Sequence, residues 1–404
     1  MRILVIVDCY LPSTKSSAKL IHDLALELER TNHDVTVLAP SDDLLQAFAV
    51  SYEDGVRVAR VRTKRIKGAS RILRALRERA LSDVMWRCGR SFFETHPHDA
   101  IIFYSPSIFF GKLVRRLKRL WRCRAYLIVR DLFPQWALDA GLIRRGPTYY
   151  FFKYMELVQY AVADVVGVQS PANLSYFDRA PIRPRKLEVL YNWARVACAA
   201  ENPPLPTQGT SRSDSIPKDG IVFFFGGNMG VAQDMDAIVR LAETLRERAD
   251  IRFILVGDGS ETSRLRDEIR RRGLPNVVVL PAVSQGDYRA MLAQADVGLI
   301  SLNPRLTTHN IPGKLLGYLA SGIPVLSSLN RGNDLAQLIT EAGAGISCEA
   351  GDDTALRNAA LELVASSQLR RAFGENGKKL LADKFSAEAA ARQIVSHFDR
   401  GCSI

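Results

Sequence analysis

Short apolar runs alternate with longer amphipathic stretches along most of the chain. RILVIVD (2–8) is continuously apolar between charged ends, the pattern of a parallel strand buried on both faces. A polar loop, CYLPSTKSS, follows, and AKLIHDLALELERT then spaces its apolar residues at the helical period. DVTVLAP (34–40) returns to a strand pattern. Strand, loop, helix, strand is the repeating unit of a doubly wound α/β sheet. VRVARVR (56–62) alternates like a half-buried strand, and the segments 99–106, 124–131, 164–170 and 186–193 predict four more strands.

The pattern breaks at 199–220, AAENPPLPTQGTSRSDSIPKDG, which is rich in Pro, Ser, Thr and Gly and reads as a linker. A second series begins at once. IVFFFGGNMG (221–230) predicts a strand and a glycine loop, MDAIVRLAETLRER a helix, IRFILVGDGS a strand and loop, and ETSRLRDEIRRRG a helix. NVVVLPAV and ADVGLISL predict strands. TTHNIPGKLLGYLASGIPVL (307–326) then turns at Pro-Gly, opens a helix at Lys314 and ends in a strand. The chain is thus read as two similar α/β halves, 1–198 and 221–385, facing a central cleft, with a helical C-terminus at 386–404.

A length of 404 residues fits two domains of roughly 150–200 residues each. Apolar residues make up 47%, enough for two cores. The six cysteines are scattered without a C-x-x-C pair, which points to a reducing compartment and away from a disulfide framework or zinc site. No signal peptide is evident, and no apolar run approaches the roughly 18 residues that span a bilayer. A cytoplasmic or peripheral membrane protein is expected.

The net charge of +12 is unevenly placed. Residues 1–200 carry 32 Lys and Arg against 19 Asp and Glu, whereas 201–404 carry 23 against 24. The first half should therefore meet an anionic partner. Its basic segments are 60–80 and 111–124. The second sets Leu113, Leu117, Leu120 and Trp121 among Arg and Lys, so that basic stems would lie over apolar surface with their heads at lipid phosphates. With no nucleic-acid motif and little aromatic interleaving, an anionic membrane surface is preferred to nucleic acid. A solvated helix face accounts for either segment alone.

In open α/β sheets, ligands bind beyond the carboxyl ends of the strands. The candidates therefore lie in loops 8–17, 104–107 and 130–136 of the first half, and 226–233, 257–260, 302–314 and 327–333 of the second. The GGNMG loop, Gly226, Gly227, Asn228, Met229 and Gly230, brings backbone amides within reach of phosphate oxygens, or is simply a tight turn. Gly257 and Asp258 form a weaker G-D-G turn. Lys314 stands at a helix start, where the dipole already favours anions, so it is either a solvated surface lysine or, as its place after a predicted strand favours, the partner of a bound phosphate. Arg130 and Asp131 end an apolar strand and either face a ligand or form a structural pair. His96 and His98 make an H-x-H without a third ligand nearby, so no metal is expected.

Together these landmarks resemble the GT-B glycosyltransferases of the retaining glycosyltransferase family 4. The resemblance is carried by YLPSTKSSAKLIHDLALELERTNHDVTVLAP (10–40), ADVVGVQS (163–170), KLEVLYNW (186–193), FFFGGNMG (223–230), FILVGDGSE (253–261), ADVGLIS (295–301) and YLASGIPVL (318–326). RDLFPQWALDAGLI, GGNMGVAQDMD, TTHNIPGKLLGYL and RGNDLAQLI are similar to bacterial O-antigen transferases, particularly the N-acetyl-L-fucosamine transferase group. The resemblance implies two Rossmann-like domains, the first binding the acceptor and the second a nucleotide-sugar, with the C-terminal helix packing back toward the first. It implies no cofactor and no metal.

Carried onto this sequence, the resemblance makes Arg130, Asp131, His309 and Lys314 the catalytic candidates. The donor would meet Gly226–Gly230, Gln233, Gly257, Asp258, Val283, Asn310, Ile311, Pro312 and Gly313. The acceptor would meet Asp8, Ser16, Ser17, Tyr104, Ser107 and Trp136. Four departures stand out. The family's two glutamates, eight residues apart, fall on His309 and Gly317, and the second of them commonly holds ribose hydroxyls. Its glycine-loop Arg and Lys fall on Asn228 and Gln233, its catalytic-loop histidine on Arg130, and its N-terminal double glycine on Ser16-Ser17.

The expected activity is transfer of a sugar, N-acetyl-L-fucosamine or a related amino sugar, from a nucleotide diphosphate, UDP foremost. The acceptor is a polyprenyl-diphosphate-linked saccharide at the inner face of the bacterial cytoplasmic membrane. A nucleotide-sugar 2-epimerase of the same fold and an inactive GT-B partner subunit are the alternatives.

Overall fold

The computed structural model describes residues 1–13, 15–64, 71–105, 107–179, 184–195, 220–309 and 311–398. It divides into two compact units, Met1–Arg195 with Ala387–Ile404, and Val196–Ser386. The linker segment lies outside the described residues except for Gly220.

Unit 1 runs β1 (Arg2–Ile6), α1 (Ser16–Arg30), β2 (Asp34–Ser41), β3 (Phe48–Glu53), β4 (Val56–Arg62), α2 (Arg71–Thr95), β5 (Ala100–Ser105), α3 (Gly111–Trp121), β6 (Arg124–Val129), α4 (Gln135–Asp139), α5 (Pro147–Val162), β7 (Val165–Val168) and β8 (Lys186–Val189). The strands form one sheet in the order β3-β4-β2-β1-β5-β6-β7-β8. All pairings are parallel except β3 with β4. The period of two along β1 divides it between two cores. Ile3 and Val5 join Leu24 and Leu28 of α1 on one face. Leu4 and Ile6 join Met85 of α2 and Leu113 of α3 on the other. Successive strands start out on opposite sides of β1, so the crevice between β1 and β5 is the topological switch point.

Unit 2 runs β9 (Ile221–Gly226), α6 (Met235–Thr244), β10 (Ile251–Val256), α7 (Thr262–Arg272), β11 (Val277–Leu280), α8 (Gln285–Leu292), β12 (Val297–Ser301), α9 (Lys314–Ser321), β13 (Val325–Leu329), α10 (Asp334–Glu341), β14 (Gly345–Glu349), α11 (Asp353–Ala365) and α12 (Ser367–Lys384). Its sheet is wholly parallel in the order β11-β10-β9-β12-β13-β14, the dinucleotide-fold order, with the switch point between β9 and β12. The last helix, α13 (Ala387–Val395), belongs to unit 1, where Ala387, Ala390, Ala391 and Ile394 pack with the α1 core.

Several elements exceed the sequence expectations, α4, α5 and α10 among them. β3 is an antiparallel edge strand and α8 is one short polar helix. One expectation is corrected. The apolar stripe of α3 does not face outward: Leu113, Val114 and Leu117 are fully buried against the sheet, and only Leu120 remains exposed. Lys118 is paired with Asp164 at 2.5 Å and Arg116 with Asp83 at 2.8 Å, which leaves Arg115, Arg119 and Arg122 as the outward cations of the segment. The core competed for the same leucines that lipid would have used.

Candidate functional site

Each unit gathers its candidates at its own switch point. In unit 1, Asp8 follows β1, Tyr104 ends β5, and Arg130-Asp131 follows β6. Asp8 Oδ2 lies 3.9 Å from Lys15 Nζ, and the neighbouring Cys9 Sγ is 3.3 Å from Ser17 Oγ. Ser16 opens α1. Tyr104 is buried, Ser107 half-buried beyond it, and Trp136 half-buried in α4 with its ring 6.2 Å from that of Phe133.

Arg130 and Asp131 have different fates. Arg130 is 6% exposed and turned into the protein. It donates to the carbonyls of Leu190 at 2.8 Å and Tyr191 at 3.3 Å, and its guanidinium lies 4.6 Å from the Trp193 ring centroid. Burial lowers its pKa to about 10. Arg130 thus fixes the segment after β8. Asp131 is half-buried, and burial raises its pKa to about 6, with Asp8 adding in the same direction and Arg130 opposing.

The two loop histidines of 96–98 belong to an aromatic cluster, His96 stacked on Phe92 at 4.4 Å and His98 against Trp121 at 4.9 Å. Burial lowers His98 to about 4.

In unit 2 the glycine loop after β9 interlocks with the loop after β10. Gly227 N donates to Val256 O at 2.8 Å and Met229 N to Asp258 O at 3.0 Å. Gly257 has φ +149, and a Cβ there would stand 1.9 Å from Gly227 O, so no side chain fits where the two loops meet. Met229 is fully buried beneath them, while Gly227, Asn228 and Asp258 are exposed above. Asn228 Nδ2 donates to Gln233 Oε1 at 3.1 Å, an uncharged pair where the family's two cations fall. Val283 is half-buried in the segment leading from β11 to α8.

Lys314 comes to this loop from the other side of the switch point. Its Nζ lies 3.4 Å from the centroid of Phe225 on β9, and its Cε is 3.7 Å from where a Gly227 Cβ would stand. It pairs with no carboxylate among the described residues, and desolvation drives its pKa well below the usual lysine value. Ile311 is buried, Pro312 half-buried and Gly313 exposed on the approach to Lys314, while Asn310 lies outside the described residues. His309 is half-buried beside Gly332, with its pKa lowered by burial and partly restored by Asp334.

Two tyrosines missed in the sequence complete this site. Tyr318 is fully buried, accepts from Gly226 N at 3.2 Å and bonds the carbonyls of Leu299 and Phe224. It therefore seats α9, and with it Lys314, on β9 and β12. Its ring requires Gly298, since a Cβ there would meet it at 2.5 Å. Tyr288 of α8 packs over Gly226 and edge-on to Phe224 at 5.6 Å, and it borders Gly317. The cue for both was an aromatic residue set opposite a strand glycine, a pairing visible only once the register is known.

Comparison with known proteins agrees with this division. Residues 17–193 match the family model for a glycosyl transferase 4-like domain, and 208–380 match that for glycosyl transferases group 1. A probable glycosyltransferase, WbjE, of Pseudomonas aeruginosa is 26% identical over 234 residues, 57% of each chain. A putative colanic acid biosynthesis glycosyl transferase, WcaI, of Escherichia coli K12 is 25% identical over 250 residues, 59% of this chain and 60% of its own. The matches thus span less than two thirds of either relative. Among solved structures, a sucrose-phosphate synthase from Thermosynechococcus elongatus superposes with a TM-score of 0.74 at 15% identity over 98% of both chains. HepE of Anabaena, solved with UDP and glucose, superposes with a TM-score of 0.67 at 16% identity over 98% of this chain and 99% of its own.

Proposed function

The two halves of the chain belong to the glycosyl transferase 4-like and group 1 glycosyl transferase families and carry the GT-B fold, and on that premise we propose that the protein is a glycosyltransferase of bacterial surface-polysaccharide synthesis. Unit 2 takes the nucleotide-sugar, a UDP-sugar foremost, and unit 1 meets the acceptor, a saccharide on polyprenyl diphosphate. The transferred sugar is N-acetyl-L-fucosamine or a related amino sugar, moved with retention and without a metal. The likeness to WbjE and WcaI, a probable and a putative glycosyltransferase, and the UDP bound in the HepE structure support the transferase part of this reading.

The observation that carries it is Lys314 against the glycine loop. A half-buried ammonium without a carboxylate partner among the described residues is costly unless an anion joins it. The amides of Asn228 and Gly230, which the loop's own bonds leave out, and the start of α9 provide the other donors such an anion needs. Breaking the bond from the sugar to the diphosphate builds negative charge on the leaving oxygens, and a cation already in place stabilises it without reorganisation. Arg115, Arg119 and Arg122, with Tyr150 and Tyr154 of α5 each 62% exposed, provide the cationic and aromatic surface by which unit 1 meets an anionic membrane at its cytoplasmic face.

The test is turnover by the purified chain with UDP-, GDP- and dTDP-sugars, UDP-N-acetyl-L-fucosamine among them. Each is offered with and without a lipid-diphosphate saccharide, in EDTA. Acceptor-dependent consumption of one donor is the expected result. No turnover and no nucleotide-induced thermal shift would replace the enzyme reading with that of an inactive partner subunit.

A further inference from the structure

Two tyrosines flank Gly226 at the end of β9, and they are used differently. The Tyr318 hydroxyl is spent within the fold, on Gly226 N and on the carbonyls of Leu299 and Phe224. Tyr288 of α8 is half-buried, and its hydroxyl makes no hydrogen bond among the described residues. Nor is that oxygen sealed from solvent, so a group from outside can reach it. A phenol set into a protein surface ordinarily bonds a neighbour, so one left open at a switch point is a place for a ligand to bond.

The ring is fixed before any ligand arrives. It packs edge-on to Phe224 at 5.6 Å, and Cε1 lies 3.9 Å from where a Gly317 Cβ would stand. The phenol oxygen lies 2.5 Å from where a Gly226 Cβ would stand, an approach that only glycine permits. Gly226 runs directly into the glycine loop, so the hydroxyl is within roughly 8 Å of the Gly227 Cα. Lys314 meets that loop at Gly227. Neither Gly226 nor Gly317 has a side chain with which to hold a ligand, and the phenol stands between them. Burial raises its pKa above the ordinary value, so at neutral pH it keeps its proton and can both donate and accept.

We infer that the Tyr288 hydroxyl binds the sugar donor, holding a ring hydroxyl of the unit attached to the diphosphate. That unit is the ribose or the transferred sugar, and both present neighbouring hydroxyls to a phenol. The inference rests on the transferase reading above and adds to it a residue of unit 2 that meets the donor beside its phosphates. A ring bonded to a phosphate at Gly227–Gly230 and Lys314 reaches over the distance to Tyr288. Because the phenol is already fixed by Phe224 and Gly226, little order is lost when it binds.

The experiment compares wild type with Tyr288→Phe, which removes one oxygen and keeps the ring against Gly226 and Phe224. UDP, GDP and dTDP are titrated by calorimetry. The tightest binder is carried on with its 2′,3′-dideoxy form and its N-acetyl-L-fucosaminyl form, and Tm is recorded without ligand. Tm should hold, because the hydroxyl bonds nothing in the fold. Affinity for the nucleotide or the nucleotide-sugar should fall roughly 3–10-fold, the loss of one hydrogen bond. A fall seen with the parent nucleotide and absent with the dideoxy form puts the bonded hydroxyl on the ribose. A fall confined to the sugar-bearing form puts it on the transferred sugar. Either result supports the inference. A variant that binds all three ligands as tightly as wild type overturns it and leaves Tyr288 a solvated neighbour of the site. A fall of one size for all three ligands overturns it too, since the phenol would then act through packing. A wild type that binds no nucleotide removes the sugar-donor reading and this inference with it, whereas nucleotide binding that Tyr288→Phe leaves intact removes the inference alone.

Discussion

The ammonium of Lys314 lies over the ring of Phe225, 3.4 Å from its centroid, and beside the backbone of Gly227. A cation–π contact partly compensates the lost hydration, while burial pushes the lysine's pKa well below its usual value. Lys314→Met should therefore act in opposite directions on binding and on folding. Without donor, Tm should hold or rise, by about 1 kcal/mol of stability, since an unpaired polar group is removed. Turnover should fall roughly 10²–10³-fold, the usual loss for one transition-state donor. Thermal shift and initial rates on the same preparation check both. A variant of unchanged rate would remove Lys314 from the donor site.

The same amine should make donor binding pH-dependent. In the empty site its pKa is depressed, and a bound diphosphate raises it. Affinity should therefore fall as pH rises from the depressed value toward the bound one, with proton uptake on binding. Calorimetry of UDP binding in buffers of different ionisation enthalpy reads the uptake directly.

Gly317 sits inside α9, where a Cβ would meet Leu292 at 3.5 Å and Tyr288 at 3.9 Å, both ordinary contacts. Gly317→Ala should stabilise the protein by about 0.5–1 kcal/mol, since the helix loses its most flexible residue without a clash. Gly317→Glu should fold equally well. If α9 lines the ribose subsite, as the family resemblance implies, it should also tighten UDP binding. A urea melt and a UDP titration separate the two effects.

Asp131→Asn should raise stability at neutral pH. The folded-state pKa of about 6 lies above the unfolded value of 3.8, so the ionised carboxylate is disfavoured in the folded protein above that range. The stability difference between Asn and Asp should be absent below the unfolded value, grow as pH rises through 6 and level off above it. A gain of about 1–3 kcal/mol is expected at neutral pH. Urea denaturation at acid and neutral pH checks the sign, and a variant equally stable at both would contradict the burial of this group.

Arg130→Lys should be costly despite keeping the charge. A lysine cannot bond two successive carbonyls and stack on Trp193 at once, so about 2 kcal/mol of stability should be lost. If Arg130 instead served mainly at the reacting atoms, Tm would hold while kcat fell.

The sheets and the Lys314 helix were legible because their signals are local. Buried parallel strands are continuous apolar runs, and Pro-Gly before KLLGYLAS marks a helix start whatever lies around it. β3 and α8 were not. FAVSYE is a half-exposed edge with no clean alternation, and QGDYRAML is eight residues with few apolar positions. The role of Arg130 depends on carbonyls sixty residues further along, and the partner of Tyr288 on a glycine in another element, and neither distance is written in a sequence pattern. The apolar stripe of α3 was visible, but amphipathicity alone does not say whether a core or a bilayer will cover it.

The last helix has a consequence for how the protein is made. Ile394 and Phe398 lie in the same core as Ile3, Val5 and Leu24, so β1 waits for residues nearly four hundred positions later before its packing is complete. A chain cut before Ala387 leaves that core missing a wall. Truncation there should therefore be felt almost four hundred residues away, as aggregation through the exposed α1 face of unit 1.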